Sequence, residues 1–280
     1  MTRVHDAHDS SPRRPGDSRA REGDMDLIVR SRPILPLRAW NALRTRGPAY
    51  AWHKVLRRVL SRHPHWKRQW LYADPRSYWT HRGGIDYFRE QEGQPARSRR
   101  AAWIAEHVAA YRPTSILEIG CGYGKLLDEL SLRHSATLCG VDFSPTQLEL
   151  ARRFLEHKPA IRLVLSRGER LPFPDDSFDM VVTSAVILHN APEVAETIRR
   201  EVVRVARRFA AHNEETSESY NRFGYDTALW YRSRGIPLAE SGPIPADDDQ
   251  RSSQFCVALL DPAAKAALKT SSPRRAHDHA

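Results

Sequence analysis

The chain has 280 residues, 40% of them hydrophobic and 28% charged, which suffices for one domain of ordinary size with appendages. A formal net charge of +10 and a mean hydropathy of −0.60 describe a globular domain diluted by polar extensions. No apolar run reaches the roughly eighteen residues that a membrane-spanning helix needs, and the polar start over 1–23 has no apolar stretch of a secretory signal.

The charge is uneven. Residues 1–100 hold 22 Lys and Arg against 10 Asp and Glu, while the remainder holds 22 against 24. Residues 1–24 balance at five against five, so the excess belongs to 25–100. A basic appendage of this kind suits phosphate-rich partners, either nucleic acid or an anionic membrane surface. Cys121, Cys139 and Cys256 are far apart and lack metal-binding spacing, so they read as small buried hydrophobes in a reducing cytoplasm, with no metal site.

In chain order, 1–24 is rich in Arg, Asp, Ser and Pro without periodicity and reads as a disordered tail. A basic helical extension follows over 25–95, with its best segment after Gly47-Pro48. There Trp52, Val55, Leu56, Val59 and Leu60 share one helical face, with Lys54, Arg57, Arg58 and Arg62 on others. That face either packs on the main domain, the favoured reading, or rests on a membrane surface. Tyr78 to Phe88, rich in Gly and aromatics, reads as an irregular connection that could cover a ligand. A helix from about Ser98 to Tyr111 leads into the main domain, 96–262.

From Ser115 short apolar runs alternate with amphipathic stretches, the pattern of βαβ units. Strands are expected at Ser115–Ile119, Ala136–Val141, Ile161–Leu165 and Phe178–Ser184, then a short, weak one at Arg208–Ala211 and a final pair at Pro237–Glu240 and Gln254–Leu260. Helices are expected at Gly124–Leu132, after the Ser144-Pro145-x-Gln147 capping box, and at Ala191–Ala206. The fold class is therefore α/β, a seven-stranded, mostly parallel Rossmann-like sheet flanked by helices, with the basic extension before it and a tail over 263–280.

Three stretches carry the chemistry. Leu117-Glu118-Ile119-Gly120-Cys121-Gly122-Tyr123-Gly124 ends a buried strand in a turn with alternate glycines, where backbone can approach a ligand closely. A dinucleotide fingerprint would want its third glycine at Lys125 instead. Asp142, followed by Phe143, puts a carboxylate at the end of the second strand, where it can accept both ribose hydroxyls. The third stretch is Arg167-Gly168-Glu169-Arg170-Leu171-Pro172-Phe173-Pro174-Asp175-Asp176-Ser177-Phe178-Asp179.

Together these resemble class I S-adenosylmethionine-dependent methyltransferases, specifically the small-molecule "type 11"-like group whose loop usually reads GDAExLPFxDxSFD. The resemblance covers Ser115 to about His212. It implies that Glu118, Gly120, Cys121, Gly122 and Gly124 surround the methionine end of S-adenosylmethionine, that Asp142 and Phe143 hold the ribose side, and that Gly168 and Glu169 edge the adenine. Arg167 departs from the pattern, since the group usually has an acidic residue there, so the expected adenine acceptor is missing.

The resemblance also places a Leu-x-His run, ending in His189, beside the methyl donor as the first candidate for a catalytic base; capping or core packing is the other reading. His212-Asn213-Glu214-Glu215 is a polar cluster that either faces the acceptor or is a solvated loop, and Tyr225 lies in an aromatic insertion that lines a pocket or packs. No Asn-Pro-Pro-Tyr-like tetrapeptide ends the fourth strand, which argues against amino-methylation of bases or glutamine. The implied acceptor is a small molecule, saccharide or lipid-linked group. An RNA-directed methyltransferase using the basic extension and a non-catalytic cofactor-binding scaffold are the alternatives.

Overall fold

The computed structural model describes residues 35–158, 161–244, 253–263 and 265–266. The expected tail over 1–24 lies outside them, as does most of 263–280. The chain divides into two compact units, Met1–Ala51 and Trp52–Ala280. Of the first, residues 35–51 are described and belong to helix α1 (Leu35–Val59), which breaks at Gly47 (φ 81°, ψ 171°) and resumes at Pro48. A positive φ is cheap only for glycine, and proline fits the first turn of a new helical segment, so Gly47-Pro48 is a built-in break.

The second unit is a seven-stranded mixed sheet with a helical cover. Its strands are β1 (Ser115–Ile119), β2 (Thr137–Asp142), β3 (Arg162–Leu165), β4 (Phe178–Ser184), β5 (Ala206–Glu215), β6 (Leu238–Pro243) and β7 (Ser253–Leu259). They lie in the order β3-β2-β1-β4-β5-β7-β6, with β7 antiparallel to both neighbours and every other pairing parallel. The strand order reverses at β1 and β4, and an open α/β sheet binds ligands at the carboxyl edge of such a point.

Helices α5 (Pro95–Ala110), α6 (Lys125–Arg133) and α7 (Pro145–Phe154) cover one face, where Ile104, Leu127, Leu130 and Leu148 are sealed against Ile116 and Met180. Helix α8 (Pro192–Val205) covers the other, laying Ala195, Ile198 and Val202 at i, i+3, i+7 against Leu117 and Val181. Each such Leu or Ile contributes about 1.5–3 kcal/mol by leaving water. Half of the expected capping box forms: Ser144 Oγ accepts from Gln147 N at 3.4 Å, while Ser144 N donates to Asp142 Oδ1 instead of to the Gln147 side chain.

Two stretches differ from expectation. Tyr78 to Phe88 is not an irregular connection: α3 (Pro75–Arg82) and α4 (Ile85–Glu92) meet at Gly83-Gly84, where Gly84 has φ 99°. The fifth strand is neither short nor weak, because it runs through the polar residues His212 to Glu215, all buried.

The apolar face of α1 also splits. Leu60 is buried in a cluster with Leu71, Tyr72 and Tyr78, and Leu56 packs against it. Trp52 (64%), Val55 (51%) and Val59 (66%) remain exposed, as do Trp66 and Trp70 (54% and 66%) on α2 (Pro64–Leu71). Packing on the main domain therefore accounts for only part of that face.

Candidate functional site

One cavity of about 510 Å³ opens at the carboxyl edge of β1, β2 and β4. The glycine loop forms its floor. Gly120 (φ 69°) passes so close to Val186 that a Cβ there would sit 2.4 Å from Cγ2, whereas a Cβ on Gly122 (φ 54°), which lines the cavity, would meet nothing nearer than Gln147 Nε2 at 4.0 Å. The first glycine permits the turn, and the second leaves a cradle that a side chain would fill. Gly124 (φ 91°) starts α6 and does not line the cavity.

Asp142 ends β2 with its carboxylate already oriented: Oδ2 accepts from Gly122 N at 2.9 Å and Oδ1 from Ser144 N at 2.8 Å. Each oxygen keeps a lone pair for a ligand hydroxyl. Burial raises the Asp142 carboxyl, against the backbone N–H groups that lower it. Glu118 Oε2 is buried with no hydrogen-bond partner, and burial followed by the Asp142 charge pushes its carboxyl up to about 8. A buried acceptor left without a donor costs free energy, and a ligand ammonium would supply the donor. The Cys121 thiol in the same loop is pushed well up, first by burial, and stays protonated. These residues fit a nucleoside carrying an amino acid end.

Phe143, Gly168 and Glu169 also line the cavity. Glu169 does not replace the missing adenine acceptor freely, because its carboxylate is paired with Arg76 at 2.5 Å. Arg167 lines the rim nearby.

His189 faces the cavity from a 3-10 turn, Ile187–His189, after β4. Its Nδ1 lies 2.6 Å from Asn221 O, so Nδ1 carries the proton and Nε2 is left as an acceptor. Burial first, then Arg222 and Arg97, hold the imidazole down at about 4, so it is neutral at ordinary pH. The Trp79 ring meets it edge-on at 4.5 Å, and Tyr72 Oη donates to its carbonyl at 2.5 Å.

The turn is held by Glu214, a member of the polar cluster His212 to Glu215. Its Oε1 accepts from Thr183 Oγ1 (2.8 Å), Val186 N (3.2 Å) and Ile187 N (3.2 Å), and Oε2 from Leu188 N (3.1 Å). His212, expected either to face the acceptor or to lie in a solvated loop, does neither: its Nδ1 is 2.8 Å from Thr183 Oγ1 and its Nε2 is 2.7 Å from Tyr231 Oη, inside the fold. Since Thr183 donates to Glu214, its oxygen accepts from His212 Nδ1, and Tyr231 donates to Nε2. Asn213 Nδ2 donates to Ser184 Oγ at 2.9 Å, and its carbonyl accepts from Ser253. Neither residue is among those lining the cavity, because both side chains are consumed by this buried network. Tyr225 also stays out of the lining: it donates to Asn190 O at 2.8 Å and covers Arg199. Only the start of the aromatic insertion, Tyr220 to Arg222, reaches the cavity.

The roof is the helical cover before β1. Tyr78, Trp79, Arg82 and Tyr87 line it. Gly84 N donates to Gln147 Oε1 at 3.4 Å, and Glu92 accepts from Tyr123 Oη at 2.8 Å, tying α4 to α7 and to the glycine loop. Arg68 on α2 donates to Ser219 O and Arg222 O at 2.9 and 3.1 Å.

Comparison with known proteins agrees with this geometry. Residues 116–208 match the model of a methyltransferase domain family. A demethylmenaquinone methyltransferase of Symbiobacterium thermophilum is 35% identical over 149 residues, covering 49% of this chain and 58% of the relative. The O-methyltransferase rstn1 of Aspergillus nomiae is 29% identical over 115 residues, covering 40% and 49%. The chain thus spans about half the length of the curated relatives it matches. Among solved structures, the magnesium protoporphyrin IX methyltransferase of Synechocystis PCC 6803 with bound S-adenosylmethionine shares the fold, with a TM-score of 0.51 at 15% identity over 75% of this chain and 97% of that one. Strand order, glycine loop and strand-end acid coincide in one domain, whose residues 116–208 match the methyltransferase domain family and whose fold is shared with a methyltransferase that binds S-adenosylmethionine.

Proposed function

We propose that the protein is an active methyltransferase whose acceptor, a small molecule or lipid-linked group, enters the cavity beside His189. The observation that carries this reading is the cavity itself, which joins a cradle for the cofactor to a neutral imidazole under a roof of aromatic side chains. When bound, S-adenosylmethionine supplies a methyl group on a sulfonium, already activated for displacement. Glu118 receives the ammonium, Gly122 leaves room for the chain, and Asp142 accepts from the ribose.

The protein's remaining tasks are to orient the acceptor and exclude water. Where the acceptor is a hydroxyl group, Nε2 of His189 takes its proton as the oxygen attacks; an ammonium acceptor would have to give up its proton to Nε2 before its nitrogen can attack. The relatives named for O-methylation and for demethylmenaquinone support a small-molecule acceptor.

Calorimetric titration with S-adenosylmethionine and S-adenosylhomocysteine, alongside Asp142→Ala, tests the reading. Roughly micromolar binding that is lost in the variant supports it; no binding to folded wild type overturns it. Binding without turnover on any hydroxyl, amine or lipid acceptor would favour the scaffold alternative.

A second reading concerns where the enzyme works. Trp52, Val55, Val59, Trp66 and Trp70 are exposed, and Arg58 and Arg62 beside them are exposed as well. Aromatic and aliphatic side chains flanked by cations suit the interface of an anionic bilayer. We propose that this face rests on such a surface. Flotation with phosphatidylglycerol vesicles, but not with phosphatidylcholine alone, supports it when Trp52→Ala/Trp70→Ala abolishes it. Equal flotation of wild type and variant removes it.

A further inference from the structure

The His189 ring is held by a loop residue whose own side-chain amide the fold leaves unbonded. Asn221 follows β5, lines the cavity and is half-buried. Its main-chain carbonyl accepts from His189 Nδ1 at 2.6 Å. The loop around it is tightly built. Ser219 N donates to Arg222 O at 3.1 Å and Arg222 N to Ser219 O at 3.3 Å, which closes a four-residue turn. Arg68 donates to both of those carbonyls from α2.

The side chains of the turn fix which way the amide faces. Arg222 Nε donates to Ser219 Oγ at 2.9 Å, so the Ser219 hydroxyl is left to donate onward, and it donates to Asn221 Oδ1 at 3.0 Å. Arg222 Nη1 is paired with the Glu215 carboxylate, which anchors this relay to β5. With Oδ1 engaged by Ser219, Nδ2 and its two hydrogens face away from that hydroxyl. Among the described residues Nδ2 has no acceptor.

One residue therefore shapes the cavity twice. Its carbonyl leaves Nε2 of His189 as an open acceptor, and its side chain sets an open donor beside it. Once ligands fill the cavity and displace water, an N–H group without an acceptor disfavours the complex, so the site selects an acceptor molecule with an oxygen that reaches Nδ2. The walls here are flat. Trp79 stands edge-on to His189 at 4.5 Å, and Tyr220, the neighbour of Asn221, meets the Tyr78 hydroxyl at 3.1 Å. Aromatic walls with a few fixed polar groups take the face of a ring and read its substituents.

We propose that Asn221 is a specificity-determining residue whose amide donates to a second oxygen of the acceptor, next to the hydroxyl that His189 deprotonates, so that the acceptor is a ring with adjacent oxygens. The proposal rests on the methyltransferase reading and narrows its acceptor class. The hydroxyl proton goes to Nε2 while the oxygen takes the methyl group, and the cofactor sulfur keeps the bonding pair. An aromatic diol and a sugar diol share this chemistry. The carboxylate of the cofactor is the competing partner for Nδ2, and loading the cofactor site first separates the two.

The experiment titrates the full chain, saturated with S-adenosylhomocysteine, with catechol and phenol, and with methyl glycosides of the common hexoses alongside their monodeoxy analogues. Catechol or at least one glycoside should bind saturably, about tenfold more tightly than its counterpart lacking one oxygen. Whichever pair shows the difference names the source of the diol. Asn221→Ala should erase that advantage and leave the one-oxygen ligand unchanged, because the main-chain carbonyl that holds His189 is kept. Asn221→Asp keeps the acceptor for Ser219 but removes the donor, and should erase it as well. Ser219→Ala frees the amide to turn and should lose part of it. S-adenosylhomocysteine affinity should change less than threefold in all three variants.

No binding by any of these ligands to the loaded wild type, or equal binding of one-oxygen and two-oxygen ligands, overturns the proposal while leaving the methyltransferase reading standing. So does an advantage that survives both Asn221 substitutions, or an equal loss for both kinds of ligand, which would make Asn221 a structural residue. S-adenosylhomocysteine weakened tenfold in Asn221→Ala and Asn221→Asp assigns the amide to the cofactor carboxylate and also overturns it. Failure of S-adenosylhomocysteine to bind folded wild type overturns both readings.

Discussion

Glu118 is the residue whose environment has the clearest consequence. Its carboxyl lies near 8 in the folded chain against an ordinary 4.5, chiefly through burial. The folded chain then holds a proton that the unfolded chain releases between those two values, so this group lowers stability as pH rises through that window. Glu118→Gln should therefore raise the melting temperature of the cofactor-free protein at about pH 9 by at least roughly 2 °C, with no gain near pH 4. Calorimetry of S-adenosylhomocysteine in buffers of different ionisation enthalpy should show proton release near neutral pH, approaching one per site, and none in the variant. His189 behaves in the opposite sense. With its imidazole held down at about 4, the base is unprotonated throughout the working range, and the rate should fall only below about pH 5. His189→Ala should reduce kcat about 10²- to 10⁴-fold with cofactor affinity nearly unchanged; an equal loss of both would make it a structural residue. The placement of Gly120, Gly122 and Asp142 was legible in the sequence, because a glycine turn and a strand-end acid are dictated by local backbone. The placement of Asn221 was not, since it meets His189 from the loop after β5, 32 residues along the chain.

At the scale of elements, the 3-10 turn after β4 depends on a carboxylate from β5. Glu214 is fully buried and accepts from the backbone of Val186, Ile187 and Leu188, and burial raises its carboxyl against those same bonds. Glu214→Ala leaves three inward N–H groups without an acceptor and should cost about 3–5 kcal/mol in urea unfolding. Glu214→Gln, which keeps one carbonyl for them, should cost less and lower kcat more than cofactor affinity, because the turn that carries His189 shifts. Equal effects of the two substitutions would mean that only volume matters there. This is also where the sequence reading was weakest. His212, Asn213, Glu214 and Glu215 look like a solvated loop by hydropathy, yet each polar side chain finds a partner on β4, β7, α9 (Thr227–Arg232) or the following loop. Periodicity reports burial of apolar side chains and is silent on polar ones satisfied inside. The order of the parallel strands was legible for the complementary reason, that β1, β2 and β4 are runs of buried apolar residues. Gly83-Gly84 misled differently, since two glycines read as a loop when they join two short helices.

At the scale of the whole unit, the cover meets the sheet domain through identifiable polar bonds and a limited set of ring contacts, such as Phe88 on Tyr123 and Phe154. Arg68 spans from α2 to the carbonyls of Ser219 and Arg222 and lies over the Phe223 ring at 4.4 Å. Tyr72 reaches the His189 carbonyl, and Gln147 accepts from Gly84. The sheet, by contrast, is closed by two fully buried faces. A region held by polar contacts and a small set of ring contacts opens with a smaller free energy than a core sealed by extensive apolar packing. A ligand enclosed between the two must wait for that opening to enter or leave. Arg68→Ala should therefore speed amide exchange across α3 and α4 about tenfold, a loss of roughly 1.4 kcal/mol of local stability. The amides of β1 and β4 should be unaffected, and saturation with S-adenosylhomocysteine should restore most of the protection in α3 and α4, because the ligand stabilises only the closed form that binds it. Acceleration spread evenly over cover and sheet would show that the two unfold as one body. Access to the cavity would then require global opening, and α3 and α4 would have no gating role of their own.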